Sequence, residues 1–557
     1  MNDSTSSTEV DLHWKTGTDP REGRWPGYRK DVAVVVDGMK VTWDVAVSMR
    51  DNVKIYVDIF QPESFTGRLP TLLTWSPYGK HGPKTFAMFP NSGVPEGAVS
   101  KYAAWEGCDP AYWTRRGYAV INGDARGSWG SEGDLEIFGQ QEALDAYDLI
   151  EWAASLPWSN GRIGTTGVSY LAIVQWRIAE TSPPHLACIN PWEGFSDLYR
   201  DYSFHGGIPE TNFVKFMDWS CRCSFGKVED WVKMHQEHQL RDKYFASKSC
   251  RDLSKITVPA YVVADWGDQG LHTRGAIEGF TAISSPRKWL EVHGRKKWQY
   301  YYQESSLQRQ EAFYQRFLKD LPSDVDSWPP VRIEVRNRAF DGVERGETEW
   351  PIGRTQVVKK YLDAASHKLT DKPPLELSVA SYNATVVDDC LRFTYLFPTN
   401  TELTGNMRLR LWVSTDAGDD MDIFVQVDKL DTKGAAVPFV AMAMLDDGPL
   451  ALGWLRVSHR ELDLGRTTSL RPWLKHQRRL LVKPGEIVPV DIEIWPSSTL
   501  FHAGESLRLT VQGNDIFRYD LPQVQLHQDS VNAGVHSIYS SLLHHSYLAI
   551  PQIEAEL

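Results

Sequence analysis

Residues 161–176 read GRIGTTGVSYLAIVQW, and Ser169 stands two residues after Gly167 where a strand-like run passes into a helix-like one. A serine lifted on a sharp strand-to-helix turn presents its hydroxyl as a nucleophile, and small residues two before and two after it permit the close approach. Here the residue two before is Gly167, but Leu171 follows by two and Ala172 by three, so the strict G-x-S-x-G pattern is not met. By pattern alone Ser169 is either a nucleophile or a serine in a tight turn. Apolar runs also end at Tyr78 in SPY, Asp268 in WGD and His293 in KWLEVH, where the pattern by itself assigns no role. Asp268 also reads as a turn cap, Tyr78 as a packed aromatic in a proline turn, and Asp265 competes with Asp268.

The elements that must position these residues alternate. Residues 32–60 alternate apolar and polar residues with Asp-Gly and Asp-Asn between them, the pattern of hairpin strands. LPTLLTWSPYGK (69–80), GYAVINGDARG (117–127), PHLACINPWEG (184–194) and ITVPAYVVADWGD (256–268) each carry a buried strand. EALDAYDLIEWAASLP (142–157) has helical spacing and stops at a proline. Strands and helices joined by short loops predict a mostly parallel sheet covered on both faces. Residues 195–252 are rich in aromatic and charged residues, and an insertion there sits above the carboxyl ends of the strands as a cap. After the stretch 318–331, short alternating strands such as MRLRLWVST and MDIFVQVDKL replace helices, as in an all-β sandwich of jelly-roll type.

The run from Trp158 to Tyr170 resembles the serine hydrolases that include cocaine esterase, the X-Pro dipeptidyl-peptidases and the α-amino-acid ester hydrolases, whose elbow reads G-x-S-Y-x-G. Ser76-Pro77-Tyr78, Gly123-Asp124-Ala125-Arg126-Gly127, Ser131-Glu132-Gly133 and Trp266-Gly267-Asp268 match further family segments in order. Gly453 to Glu461 and Asn532 to His536 look like its C-terminal signatures, so the resemblance covers nearly the whole chain from about residue 45. It implies an α/β-hydrolase core in residues 1–194 and 253–327, a helical cap in 195–252 and a β jelly roll in 328–557. It also implies that Ser169 attacks a carbonyl, that Asp268 orients the histidine, and that the backbone N–H of Tyr170 and the phenol of Tyr78 hold the oxyanion. Asp124 and Arg126 are expected to form a structural charge pair. For the histidine, Lys297 occupies the position that gap-free alignment gives the family's base. His293, at the end of the following strand, is therefore expected to serve, and His272 is passed over as too close to Asp268 for that strand. Lys297 as base would need strong desolvation, against charged neighbours Arg295 and Lys296.

Composition limits the rest. Of 557 residues, 60 are Lys or Arg and 72 are Asp or Glu, a net charge of −12, which argues against a nucleic-acid or anionic-membrane partner. The polar N-terminus has no apolar leader segment and no long apolar run spans a membrane, so the expectation is a cytoplasmic protein. The six cysteines are scattered, and Cys221 and Cys223 lack a second ligand pair, so neither a disulfide framework nor a metal is expected. The reading is a hydrolase of a small ester or amide, without metal or cofactor, with homo-oligomer formation left open. Acyl transfer or cyclisation through the same acyl-enzyme, and a lapsed hydrolase that only binds, are the alternatives. Tyr199, Tyr202, Phe204, Phe213, Phe216, Trp219 and Trp231 are the candidates for an apolar acyl pocket, and nothing marks Glu210 or Asp218 as an amine site.

Overall fold

A computed structural model describes residues 10–23, 25–29, 32–80, 89, 91–519 and 521–554. The first nine residues, on which part of the leader reading rests, lie outside the described residues. After a short strand at Trp14–Thr16, which pairs antiparallel with Lys227–Glu229 of the inserted segment, come the hairpin strands β1 (Ala33–Val36), β2 (Met39–Ser48) and β3 (Lys54–Pro62). Asp37 and Gly38 both have positive φ, 51° and 78°, which matches a tight turn to the right-handed twist of the strands. Then follow β4 (Leu69–Ser76), β5 (Ala119–Asp124), α1 (Gln140–Ser155), β6 (Ser159–Val168), α2 (Tyr170–Glu180) and β7 (Leu186–Trp192).

Residues 195–252 hold short elements: a single wide turn at Tyr199–Ser203 and helices α3 (Phe213–Cys221), α4 (Trp231–Glu237) and α5 (Lys243–Lys248). The sheet resumes with β8 (Ala260–Asp265), α6 (Thr273–Ala282), β9 (Lys288–His293), α7 (Lys297–Tyr302) and α8 (Glu304–Leu318). Strands β4, β6, β7, β8 and β9 run parallel in that order, and β5 lies parallel on the outer side of β4. Every residue of β4, β5 and β8 is buried, so these strands read as continuous apolar runs rather than alternating ones.

The β-rich part does not start cleanly at residue 328. Its first strand, β10 (Val331–Arg338), pairs parallel with β9 through Leu290↔Val331 and Val292↔Ile333, so it closes the core sheet. β11 (Asp341–Glu347) then folds back on it. Beyond, long antiparallel strands β12 (Thr401–Thr415), β13 (Asp422–Leu430), β14 (Val488–Phe501) and β15 (Ser506–Gln512) enclose a second core. In β12, Met407, Leu409, Leu411 and Val413 are buried and alternate with half-buried Arg408, Arg410 and Trp412, the period-two pattern seen in the sequence. None of the six cysteines is in a disulfide, and no helix among the described residues is long and apolar enough to cross a membrane.

Helix α2 sits tightly on the turn after β7. A Cβ added to Gly194 would lie 2.6 Å from the Cβ of Ala172. The methyl that the resemblance did not expect at 172 is therefore accommodated by a glycine opposite. We expect Gly194→Ala to destabilise by about 1–3 kcal/mol through overpacking, and Ala172→Gly in the same chain to recover only part of that loss, because the added Cβ would also lie 2.8 Å from the main chain of Ala172 and Ile173. Denaturant midpoints of the two single variants and the double would show it; additive losses would contradict the pairing.

Candidate active site

The site forms at the carboxyl ends of the parallel strands, where the order turns around β4 and β6, the usual place for ligands in such sheets. Ser169 joins β6 to α2 with φ 58° and ψ −118°, a conformation that a side-chain-bearing residue rarely adopts. The strain is held by hydrogen bonds. Its N–H donates to the Trp192 carbonyl (3.0 Å), and its own carbonyl accepts from Ala172 and Ile173 (2.8 and 2.9 Å). Gly167 has φ 136°, and a Cβ there would sit 2.5 Å from that of Leu171, so the glycine two before the serine is required.

The histidine beside the serine is His272. Its Nε2 lies 3.1 Å from Ser169 Oγ. It arrives there because β8 does not lead directly into α6. The N–H groups of Leu271, His272 and Thr273 all converge on the Asp268 carbonyl (3.3, 3.1 and 3.3 Å), and Gly270 has φ 85°. That turn folds residue 272 back over the strand ends, at the position just before α6. The ring stacks on Phe195, with centroids 5.7 Å apart, and its Nδ1 accepts the Phe195 N–H at 3.3 Å. Burial holds the imidazole well below its usual range, and the Lys297 ammonium adds to this. The ring is neutral, and with Nδ1 accepting, its proton is on Nε2 and points at Ser169.

His293 is placed otherwise than expected. As the last residue of β9 it pairs with Asp265, the last of β8. Its Nε2 lies 3.3 Å from Glu193 Oε1 and 3.9 Å separate its Nδ1 from Asp265 Oδ1. Nδ1 accepts the Arg295 N–H at 3.1 Å, and the ring stacks on Tyr300 at 3.9 Å. It is enclosed among buried carboxyls, and the structure brings His272 rather than His293 to Ser169.

Asp268 meets a lysine instead of an imidazole. Lys297 Nζ is 2.6 Å from Asp268 Oδ2 and 3.9 Å from Glu193 Oε2, with its side chain almost fully buried. Burial works against the ammonium, but the carboxyls of Asp268, Glu193 and Glu106 outweigh it and its pKa is raised. Lys297 is a fixed cation here and not a base. Burial pushes Glu193 well above the carboxylate range and Glu106 up to about 8. Glu106 accepts the indole N–H of Trp298 at 3.0 Å.

Tyr78 follows β4. Its loop is pinned by Lys80, which is buried and paired with Asp44 and Asp58 of the hairpin strands, while the Lys80 N–H donates to Asp124 at 2.8 Å. Asp124 thus serves this loop, and Arg126 pairs with Asp145 (2.6 Å) and Asp51 (2.9 Å). The expected Asp124–Arg126 pair is replaced by two separate ones. Burial lifts the Tyr78 phenol well above its usual pKa, so it stays a neutral donor, and it reaches Met217 Sδ at 3.6 Å. Tyr170 sends its phenol away to Glu142 (3.0 Å), and its backbone N–H opens α2, where first-turn amides have no acceptor within the helix.

Tyr78, Ser169, Asp268 and Lys297 line one cavity of about 40 Å³. Phe213, Phe216 and Met217 close it from the inserted segment, and Met442, Met444 and Gln525 from the β-rich part. Of the other aromatic candidates, Tyr199, Tyr202, Phe204 and Trp231 are core, and Trp219 is half exposed. Glu210 caps α3 through the N–H groups of Phe213 and Val214 (2.7 Å each), and Asp218 pairs with Lys15. His272 and Lys297 are what the sequence reading missed. The signal available was a histidine four residues after the aspartate, with a glycine between them able to turn the chain.

A serine on a strained elbow at the carboxyl end of an interior strand of a mostly parallel sheet, faced by a histidine, is the arrangement of the serine hydrolases. Comparison with known proteins agrees. The family model of the X-Pro dipeptidyl-peptidases (S15 family) matches residues 51–223, and that of the X-Pro dipeptidyl-peptidase C-terminal non-catalytic domain matches residues 323–549. A CocE/NonD family hydrolase from Staphylococcus aureus has a solved structure 38% identical to this chain. It superposes with a TM-score of 0.90 over 97% of this chain and 99% of its own. Cocaine esterase from a Rhodococcus species is 24% identical over 93% of this chain and its full length. A solved α-amino acid ester hydrolase, 19% identical with a TM-score of 0.69 over 95% of this chain and 99% of its own, shares the fold. The chain belongs to the CocE/NonD family of hydrolases, related to cocaine esterase and the X-Pro dipeptidyl-peptidases.

The buried Asp268–Lys297 pair has a direct consequence. Lys297→Met strands a carboxylate and should destabilise the protein by about 3–5 kcal/mol. Replacing both residues by apolar ones should recover most of it. Chemical denaturation reads both, and a loss under about 1 kcal/mol in the single variant would contradict the pairing.

Proposed function

We propose that the protein is a serine hydrolase that cleaves an ester, or less readily an amide, of a small substrate with an apolar acyl group. The observation that carries this is the contact of Ser169 Oγ with His272 Nε2 at 3.1 Å on a strained elbow inside a largely apolar cavity. Ser169 Oγ attacks the carbonyl carbon, its proton passes to His272, and the leaving group departs with that proton to give an acyl-enzyme that water resolves. The phenol of Tyr78 and the N–H of Tyr170 receive the negative charge that develops on the carbonyl oxygen.

In the resting geometry the Nε2–H of His272 donates to Ser169. To accept the serine proton the ring must carry its own proton on Nδ1, which requires the Phe195 N–H to let go. A 3.3 Å contact is long for a hydrogen bond and readily released. Once charged, the ring has no carboxylate among its hydrogen-bond partners in the described residues, and Asp268 is engaged with Lys297. That absence favours a second reading, a lapsed hydrolase that binds its ligand without turning it over. The two separate on one variant: Ser169→Ala should reduce turnover of an aryl or alkyl ester to background while leaving the fold intact. Full activity in the folded variant would remove the nucleophile from the account.

Tyr78→Phe should lower kcat by roughly 10²–10³, the usual loss of one oxyanion donor, and a change under twofold would reduce Tyr78 to packing. The pH profile carries a further expectation. His272 is held well below the usual histidine pKa by burial, then by Lys297, so it stays an available base into acid. The acid limb of kcat/KM should therefore lie below the ordinary histidine range; a midpoint at or above the ordinary value of about 6.5 would contradict this assignment.

A further inference from the structure

A second cavity, of about 20 Å³ and so with room for about one water-sized guest, lies away from Ser169, where the Tyr199–Ser203 turn, helix α6 and the β-rich part meet. Arg200, Arg274, Trp454, His476, Glu493 and Trp495 line it. Two of these residues carry buried N–H donors without an acceptor among the described residues, Nε of Arg200 and Nε1 of Trp454. The remaining nitrogens of Arg200 are used: Nη1 donates to Asp197 at 2.6 Å and Nη2 to the Leu474 carbonyl at 2.9 Å. A buried donor left unmatched costs about 1–3 kcal/mol, so two of them on one cavity wall mark a place for an acceptor.

The charge around the cavity says which kind. Four guanidinium groups surround the ring of Trp473, those of Arg200 (5.0 Å), Arg274 (4.9 Å), Arg466 (3.5 Å) and Arg471 (5.1 Å). Arg241 joins them through Asp197. Against these five cations stand four carboxylates: Asp197, Asp201, Glu493 and Glu278. The cluster is one negative charge short. Burial raises Asp201 to about 7, which deepens the shortfall. His476 adds no charge, because burial and then Arg200, His459, Arg274 and Arg241 hold it well below its usual range.

We propose that this cavity binds one small monovalent inorganic anion of chloride size, through Arg200 Nε and Trp454 Nε1. The carboxylate of Glu493, already held by Arg274 at 3.0 Å, stands on the wall and disfavours a dianion such as phosphate. The bound anion ties the Tyr199–Ser203 turn to the β-rich part and, through Arg274, to α6, the helix that His272 precedes. It stabilises the segment that carries His272 without touching the substrate cavity.

Crystals of the full chain grown in bromide test this by anomalous scattering. A bromide peak within hydrogen-bond reach of Arg200 and Trp454 is expected; ordered water at that place, or bromide on the outer surface alone, would overturn the site. In solution, the unfolding temperature should rise saturably with chloride relative to gluconate at equal ionic strength, because a ligand bound only by the folded state stabilises it. The rise should vanish in Arg200→Met. Equal unfolding temperatures of the unaltered protein in the two salts would count against the proposal, and neither readout depends on Ser169 chemistry.

Discussion

An ammonium group with almost no access to water must be surrounded by carboxyls, and the Lys297 ammonium sets the character of this site. It draws Asp268 into an ion pair at 2.6 Å. It faces Glu193 at 3.9 Å and lies close enough to Glu106 to feel its charge. Burial leaves those two acids with raised pKa values, so the ion pair on the cavity wall is backed by two carboxyls that resist ionisation, Glu106 on the wall and Glu193 behind it. The same cation helps keep His272 neutral. An imidazole at position 297 would have taken up Asp268. A lysine there instead leaves the serine to be met from the other direction, by a histidine on the turn ahead of α6.

The cavity depends equally on parts of the chain far apart in sequence. The core sheet supplies the elbow and the Tyr78 loop, the inserted segment supplies Phe213, Phe216 and Met217, and the β-rich part supplies Met442 and Met444. The Tyr78 loop is fixed by charges buried beneath the hairpin strands, Lys80 against Asp44 and Asp58. Such a pair adds little net stability but is expensive to break, so it acts as a lock on loop position. Trp129 adds to it: its indole N–H reaches the Pro77 carbonyl at 3.1 Å, and its ring leaves room for only a glycine at 79.

Much of this was legible in the residues. Continuous apolar runs ending in SPY, GDARG and WGD gave buried parallel strands with polar residues at their carboxyl ends, and β12 announced itself by strict alternation. Three features were hidden for physical reasons. The placement of His272 depends on a turn in which three amides share one carbonyl, which no periodicity encodes. The partners of Asp124 and Arg126 are set by side chains far along the chain, Lys80, Asp145 and Asp51. The first strand of the β-rich part looks in sequence like its successors, yet edge pairing with β9 assigns it to the core sheet. Ala172 seemed a departure from the elbow pattern until Gly194 was found opposite it.

The proposed function rests on Ser169 as an activated nucleophile whose proton goes to His272. Intact-mass labelling with a fluorophosphonate tests it most directly, on the unaltered protein and on Ser169→Ala, His272→Ala and His293→Ala. The account predicts one adduct on the unaltered protein, none on Ser169→Ala, labelling of His272→Ala slowed by about 10² or more, the size of general-base assistance, and little change in folded His293→Ala. Labelling that survives loss of His272 but fails on loss of His293 would contradict the assignment of the base, and no adduct on the folded, unaltered protein would contradict the claim altogether.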